Sequence, residues 1–440
     1  MVRFFTFLIF MCLSSVSWAA PSIIRDAEIE NSLRIFSRPI FNQAGLAVEN
    51  VRFVIVNSPE LNAFVAGGQN IFFYTGLLLE TEDVGELIGV TAHETSHITS
   101  GHMTRTNAVL EQASFQTILT TIIGVAAALG TGNAGIGNAI AIGGVGFAQQ
   151  TFLGHSRIQE SAADQGGIGF LKHARLSPKG FLNFMKKLES QELLPASQQS
   201  AYLRTHPLTR DRVLFLERIV KKSPHSDKPF PKDWEERHRR MKAKLTGFLF
   251  PERALRLKDD GSIATRYARA IAYYRKDKTK QALALIDALL MREPDNPYFH
   301  ELKGQILFET GKIQDSVLVY KQSVALLPSS GLLQTSLAHA LLEANSKSTT
   351  YAQEAVKHLT YAKKSEFKSP HLHRLLATAY GRLGQKGLAR LHLAEEAFLQ
   401  NRLEDSKRQV QYAQNTLSKD STGWLRAQDL LSFIKARQKK

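Results

Sequence analysis

In the segment TAHETSHITSGHM (Thr91–Met103), His93 and His97 stand four residues apart and Glu94 follows the first of them. Residues at that spacing point the same way from a helix, so both imidazoles can offer a ring nitrogen to one metal ion. Glu94, one step round, can reach a water on that ion without binding the ion itself, which is where metal-assisted peptide hydrolysis needs its general base. The same letters also fit an amphipathic helix that carries two histidines and no chemistry. A second, distant set of ligand-type residues decides between the two.

Zinc held by two histidines needs a third protein ligand. The segment HSRIQESAADQGGIGF offers one, because Glu160, Ala163, Asp164 and Gly167 share one face of a helix that begins from a cap at Ser156. Glu160 is the expected ligand, and the small residues Ala163 and Gly167 let this helix approach the first closely. Asp164, a turn further on, would orient a ligand histidine or meet the reacting groups. An exposed acidic face is the alternative for the two carboxylates. The all-histidine pattern HExxHxxGxxH fails, since Ser100 and Met103 stand where its glycine and last histidine belong. The sole cysteine, Cys12, lies in an N-terminal apolar run, so one zinc per chain is expected on His93, His97 and Glu160, a donor set that suits it.

These residues need a scaffold. A helix is expected from a cap at Thr81, with Glu82 and Asp83 at its positive end and Val84, Leu87, Ile88 and Thr91 as its apolar repeat. Upstream, a helical pattern from residue 22 gives way to VRFVIV (Val51–Val56), LNAFVAGG and NIFFYT (Asn70–Thr75), β-branched and aromatic runs broken by paired glycines. They read as a small antiparallel sheet, which makes the first domain α+β. LNAFVA (Leu61–Ala66), with Asn62, Ala63 and Phe64, is the candidate edge strand beside which a substrate peptide would lie extended. Asn62 would fix that strand, or serve only as a turn residue.

A chain of 440 residues exceeds one core of ordinary size. Residues 1–19, with one Arg, an apolar run and the ending Ser17-Trp18-Ala19, read as a secretory signal peptide. A retained anchor is the alternative, though the apolar run is short for a span. The catalytic domain is expected over 20–221 and a connector over 222–262, with one helix at Glu235–Leu245. Between Gln112 and Ser156 there is no charged side chain. A buried helix followed by a glycine-rich loop over the cleft is expected there, with a membrane hairpin as the alternative.

From 263 to 440 the pattern becomes helical with an internal period. Ala270, Tyr273 and Ala282 recur 34 residues later as Gly304, Leu307 and Ser316, and again as Ala338, Leu341 and, after a five-residue insertion, Ala355. A fourth unit carries Ala377, Tyr380, Gly384 and Ala389, and a terminal helix starts near Gly423. Small residues at these places let paired helices approach, so an all-α tetratricopeptide-like solenoid is expected. The chain has 56 basic and 40 acidic residues, and residues 261–440 hold 28 and 16 of them. That excess favours an acidic or anionic partner for the solenoid.

Taken together, His93-Glu94-x-x-His97 with the further His102, SRIQESAAD, LNAFVAGGQNIFFYTGLL and THPLTRDR resemble the zinc metallopeptidase family that includes HtpX and the CAAX prenyl endopeptidases. The leader, apolar insert and C-terminal repeats are similar to its periplasmic BepA-type branch. The resemblance implies that His93, His97 and Glu160 bind zinc, that Glu94 activates water, and that Asp164 matches an acidic residue often assigned as proton donor. It also implies a His-Pro motif near the site. Here that is His206, before a proline expected to open a helix, which would serve as fourth zinc ligand and latch. A periplasmic endopeptidase for quality control of outer-membrane proteins is implied, one that degrades misassembled β-barrel proteins and assists assembly. Its partners would be such clients and, through the repeats, the barrel-assembly machinery, with peripheral membrane contact and no nucleic acid. The alternatives are a non-proteolytic assembly scaffold or chaperone, and an integral membrane metalloprotease with residues 115–150 inserted.

Overall fold

The computed structural model describes residues 22–101, 119, 157–192, 194 and 198–438. The expected signal peptide, the Ser156 cap and nearly all of the uncharged segment 112–156 lie outside these residues. Among the described residues no helix is long and apolar enough to cross a membrane.

Strand β1 (Ser22–Ile24) leads into helix α1 (Ala27–Gln43). The Asp26 carboxylate caps α1 by accepting from the amides of Glu28 and Ile29, and Ile29, Leu33, Phe36 and Ile40, spaced by three and four, are buried in the first core. Strands β2 (Arg52–Asn57), β3 (Ala63–Ala66) and β4 (Asn70–Tyr74) complete a sheet of order β1-β2-β4-β3. The outer pairs are antiparallel, but β2 and β4 run parallel, with Phe53 beside Ile71 and Ile55 beside Phe73. The sheet is therefore mixed, which corrects the antiparallel expectation. Both β3 and β4 are buried along their whole length. The hairpin of β3 and β4 joins the sheet through β4, which pairs parallel with β2 and leaves β3 at the edge. Gly67 and Gly68 turn β3 into β4 with φ of 61° and 96°, which side chains disfavour.

Helix α2 (Thr75–Glu80) follows, then α3 (Val84–Thr99), the helix with the paired histidines. Thr81 does not cap α3 but ends α2; Asp83 is the cap, its carboxylate accepting from the Glu86 amide at 2.9 Å. Asp is the stronger cap of the two. Every residue of α3 from Val84 to His97 is buried, enclosed in part by α4 (Arg157–His173) and α5 (Lys179–Glu192). Glycines set the closeness. A Cβ on Gly89 would lie 2.4 Å from the Phe181 Cβ, and one on Gly167 would lie 3.0 Å from the Ala92 carbonyl carbon. The close approach expected of Gly167 is thus present.

Short helix α6 (Ala201–Thr205) and α7 (Arg210–Lys222) return the chain to the sheet and α5. The connector helix is longer than expected, α8 (Lys232–Leu249), and is followed by α9 (Pro251–Leu255). Five helix pairs follow: α10 and α11 (Ile263–Arg275, Thr279–Arg292), α12 and α13 (Pro297–Glu309, Ile313–Leu326), α14 and α15 (Gly331–Ala344, Thr349–Glu366), α16 and α17 (Pro370–Arg382, Lys386–Leu399), α18 and α19 (Leu403–Thr416, Thr422–Gln438). Four pairs and a lone terminal helix were expected; that helix instead packs on α18. Ala270, Ala282, Ser316, Ala338 and Ala355 are fully buried, and a Cβ on Gly304 would lie 3.0 Å from the Tyr320 ring.

The two halves share buried ions. Lys244 on α8 lies 2.8 Å from Asp26, 3.4 Å from Glu28 and 3.6 Å from Glu301, and the Tyr267 hydroxyl donates to Glu28 at 2.9 Å. Arg25 bridges Glu30 and Glu366, each at 2.7 Å.

Helix α8 also braces the α2–α3 junction, where His238 Nε2 lies 2.9 Å from the Thr81 hydroxyl. That hydroxyl donates to the Leu78 carbonyl, so it accepts from a neutral His238. Burial, with Lys242 and Arg239 nearby, lowers His238 to about 3, against about 6.5 in an unfolded chain. Above pH 6.5 this contribution is fully present; as pH falls from there toward 3 the unfolded chain takes up a proton that the folded one refuses, and stability is lost. Between pH 7.5 and 5 that loss reaches about 2 kcal/mol. Urea unfolding of wild type and His238→Gln should show less acid sensitivity in the variant; equal sensitivity would contradict the assignment.

Candidate metal centre

Helix α3 carries His93 and His97 on one face, and their Nε2 atoms lie 3.1 Å apart. Helix α4 brings in Glu160, whose carboxylate oxygens lie 3.4 Å from each of those nitrogens. His206, at the C-terminal end of α6, places Nδ1 3.1 Å from Glu160 Oε1. It does not precede a helix opened by Pro207, as expected from sequence; α7 starts at Arg210 after the Thr209 cap. Ligand atoms of His93, His97, Glu160 and His206 all lie within 4.8 Å of one another. All four residues are 1% exposed or less. A tetrahedral zinc with bonds of about 2.0–2.1 Å sets its ligand atoms about 3.3 Å apart. The spacings and the donor set fit that ion.

Glu94, also fully buried, turns toward the same cluster, with Oε1 3.5 Å from His206 Nε2. Neither of its carboxylate oxygens has a hydrogen-bond partner among the described residues. Burial pushes its carboxyl above the ordinary range, and a buried acceptor left unpartnered costs about 1–3 kcal/mol or more. Such a group is placed to receive a hydrogen bond from a water held at the cluster.

Asp164 lies behind His93. Its Oδ1 is 3.0 Å from His93 Nδ1, and both of its oxygens accept from Arg212, at 2.6 and 2.9 Å. Arg212 further reaches Glu160 Oε2 at 2.8 Å and donates to the Pro207 carbonyl at 2.8 Å. Burial opposes charge on His93, yet hydrogen bonds from its ring nitrogens to the Asp164 and Glu160 carboxylates outweigh it and push the metal-free imidazole up to about 9. Burial likewise opposes the Asp164 carboxylate, and Arg212 with His93 holds it below its usual range. Sequence reasoning missed Arg212, although it stands in THPLTRDR. It also missed Tyr202, whose ring tilts against His206 at 4.6 Å and whose buried hydroxyl has no hydrogen-bond partner among the described residues.

The edge strand meets this cluster at its first residue. His206 Nε2 lies 3.1 Å from the Ala63 carbonyl oxygen. The Asn62 carbonyl accepts from the Tyr74 amide, and its side-chain oxygen accepts from Thr205 at 3.3 Å, tying α6 to β3. Phe64 stacks on Phe72 with ring centroids 4.8 Å apart.

Residues 27–220 match the model of Peptidase family M48. The chain carries an M48 peptidase domain. It is similar to a β-barrel assembly-enhancing protease of Yersinia pestis, 25% identical over 338 residues that cover 74% of this chain and 68% of that one. A protein of the same name from Escherichia coli (strain K12) is 23% identical over 331 residues, 73% of this chain and 66% of that one. This chain thus spans about two thirds of the length of those relatives. Among solved structures, a thermophilic TPR protein of Thermus thermophilus is 19% identical with a TM-score of 0.25, covering 41% of this chain and 99% of that one. The M48 metallopeptidases are zinc-dependent, and the four-residue site is one that can hold that metal.

If Asp164 orients His93, Asp164→Asn should weaken zinc binding by roughly 10–100-fold in chelator competition while leaving a folded protein. Unchanged affinity would remove that role.

Proposed function

We propose that the protein is a periplasmic zinc endopeptidase of outer-membrane protein assembly, which cuts misassembled β-barrel proteins that its repeat half recruits and also assists their assembly. The barrel-assembly part rests on the names of the relatives; the peptidase part rests on one observation, the unpartnered Glu94 carboxylate beside a buried His-His-Glu-His cluster. Zinc, when bound by His93, His97 and Glu160, polarises the scissile carbonyl and lowers the pKa of its water to about 7. Glu94 takes the proton from the attacking water and returns it to the leaving amine. Asp164, engaged by Arg212 and His93, acts as a positioning residue more readily than as the proton donor.

His206 serves as latch. Its Nδ1 faces the zinc ligands while its Nε2 holds the Ala63 carbonyl, so a substrate strand that pairs with β3 competes for that carbonyl and turns the imidazole out. Asn62, Ala63 and Phe64 form the receiving edge, and the barrel-assembly machinery binds the repeats.

Cleavage of a reduced, unfolded polypeptide by purified protein tests this. Glu94→Gln should retain zinc and lose about 10²–10⁴ of the rate, and His206→Ala should cut faster than wild type with zinc retained. Full cleavage by Glu94→Gln, or an unchanged rate in His206→Ala, would remove the general base or the latch respectively. Normal assembly of β-barrel proteins in cells that carry only Glu94→Gln would favour the scaffold alternative.

A further inference from the structure

Beyond the β3 edge lies a cleft of about 580 Å³ between the two halves, within the range of ligand sites, about 300–1,000 Å³. One wall is Gly67 and Gly68, the turn into which β3 runs; the facing wall, from the C-terminal repeats, sets the rings of Phe367, Phe398 and Phe433 beside the charged Lys368 and the paired Glu395 and Arg426. Phe398 and Leu399 are buried, whereas Phe367 is 46% exposed. Two ties hold the walls in register. The Arg52 guanidinium of β2 donates to the Ser365 carbonyl and stacks 4.5 Å from the Phe367 ring, and Arg25 pairs with Glu366 at 2.7 Å.

We propose that this cleft is a substrate subsite that takes an aromatic side chain of the same polypeptide that pairs with β3. The inference rests on the peptidase reading above. A peptide laid along β3 starts at the Ala63 carbonyl beside the metal cluster and leaves the strand at Ala66, directly before the cleft wall at Gly67. At about 3.3 Å per residue the cleft lies about 13 Å along the strand from the cut. The aromatic residue therefore sits four to six positions from the scissile bond, on one side only. Backbone pairing with β3 reads no side chains, so the cleft supplies the selectivity that the strand lacks. Because the peptidase half contributes one wall and the repeats the other, the fixed spacing acts as a ruler between recruitment and cutting.

The test uses the full zinc-loaded chain and twelve-residue peptides of Ser, Thr, Val and Asn with one Phe moved through every position. Cleavage sites are mapped by mass spectrometry. Binding is read separately in the Glu94→Gln protein with a benzophenone side chain in place of the Phe. Phe at four to six residues on one side of the cut should lower KM about tenfold relative to Ser with little change in kcat, and the benzophenone should crosslink to the segments around Phe367, Phe398 or Phe433. Phe367→Ala, at a half-exposed position, and Phe433→Ala should each abolish the preference but not the basal cleavage. Cleavage indifferent to the position of Phe, or crosslinks elsewhere, would overturn the subsite. Peptides that crosslink in the cleft but are never cut by wild type would instead overturn the peptidase reading, and with it the ruler, leaving only a cleft that binds an aromatic side chain.

Discussion

The structure depends on keeping three imidazoles and two carboxylates out of water within one small volume. His93, His97, Glu160, His206 and Glu94 are each 1% exposed or less, and polar groups so buried are costly unless something binds them. A divalent cation held by His93, His97 and Glu160 would satisfy three of them, and a water in its open position would satisfy Glu94. Arg212 and Asp164 then act as a rear brace: the guanidinium spans Glu160 and Asp164, and Asp164 holds His93 by its other nitrogen. Remove the ion and the same brace leaves His93 protonated well above neutral pH.

That arrangement needs α3 fully enclosed, and the enclosure is set by glycines. Gly89 under Phe181 and Gly167 over Ala92 let α5 and α4 approach α3 more closely than any side chain permits. From α3 outward, the sheet supplies the β3 edge and α8 carries the fold across to the repeats, with Lys244 among Asp26, Glu28 and Glu301 at the crossing. Those three carboxylates outnumber the lysine, and burial pushes Glu301 up to about 7 despite it. The two halves are thus joined by packed, paired charge.

Much of this could be read from the chain because local spacing carried it. The four-residue step from His93 to His97 and the small residues at Ala163 and Gly167 determine which faces meet, and a 34-residue period announces stacked helix pairs. What sequence reading missed depends on tertiary contacts. Nothing local tells β4 to insert between β2 and β3; its parallel pairing with β2 is a tertiary contact. Thr81 and Asp83 are both capping residues, and only the chain path after α2 selects Asp83. Arg212 reads as one cation among many until the fold folds α7 back on α4. The lone terminal helix gained a partner because α18, rich in polar residues, shows little apolar signal of its own, with Ser406, Val410 and Ala413 as its buried residues.

The central claim is that the buried cluster is a glutamate-completed zinc site, and elemental analysis of the purified folded protein, wild type beside Glu160→Gln, tests it most directly. About one zinc per chain in the wild type, falling sharply in the variant, is the predicted result. A folded wild type that takes up no zinc when offered it, or a Glu160→Gln protein that keeps its full complement, would contradict it.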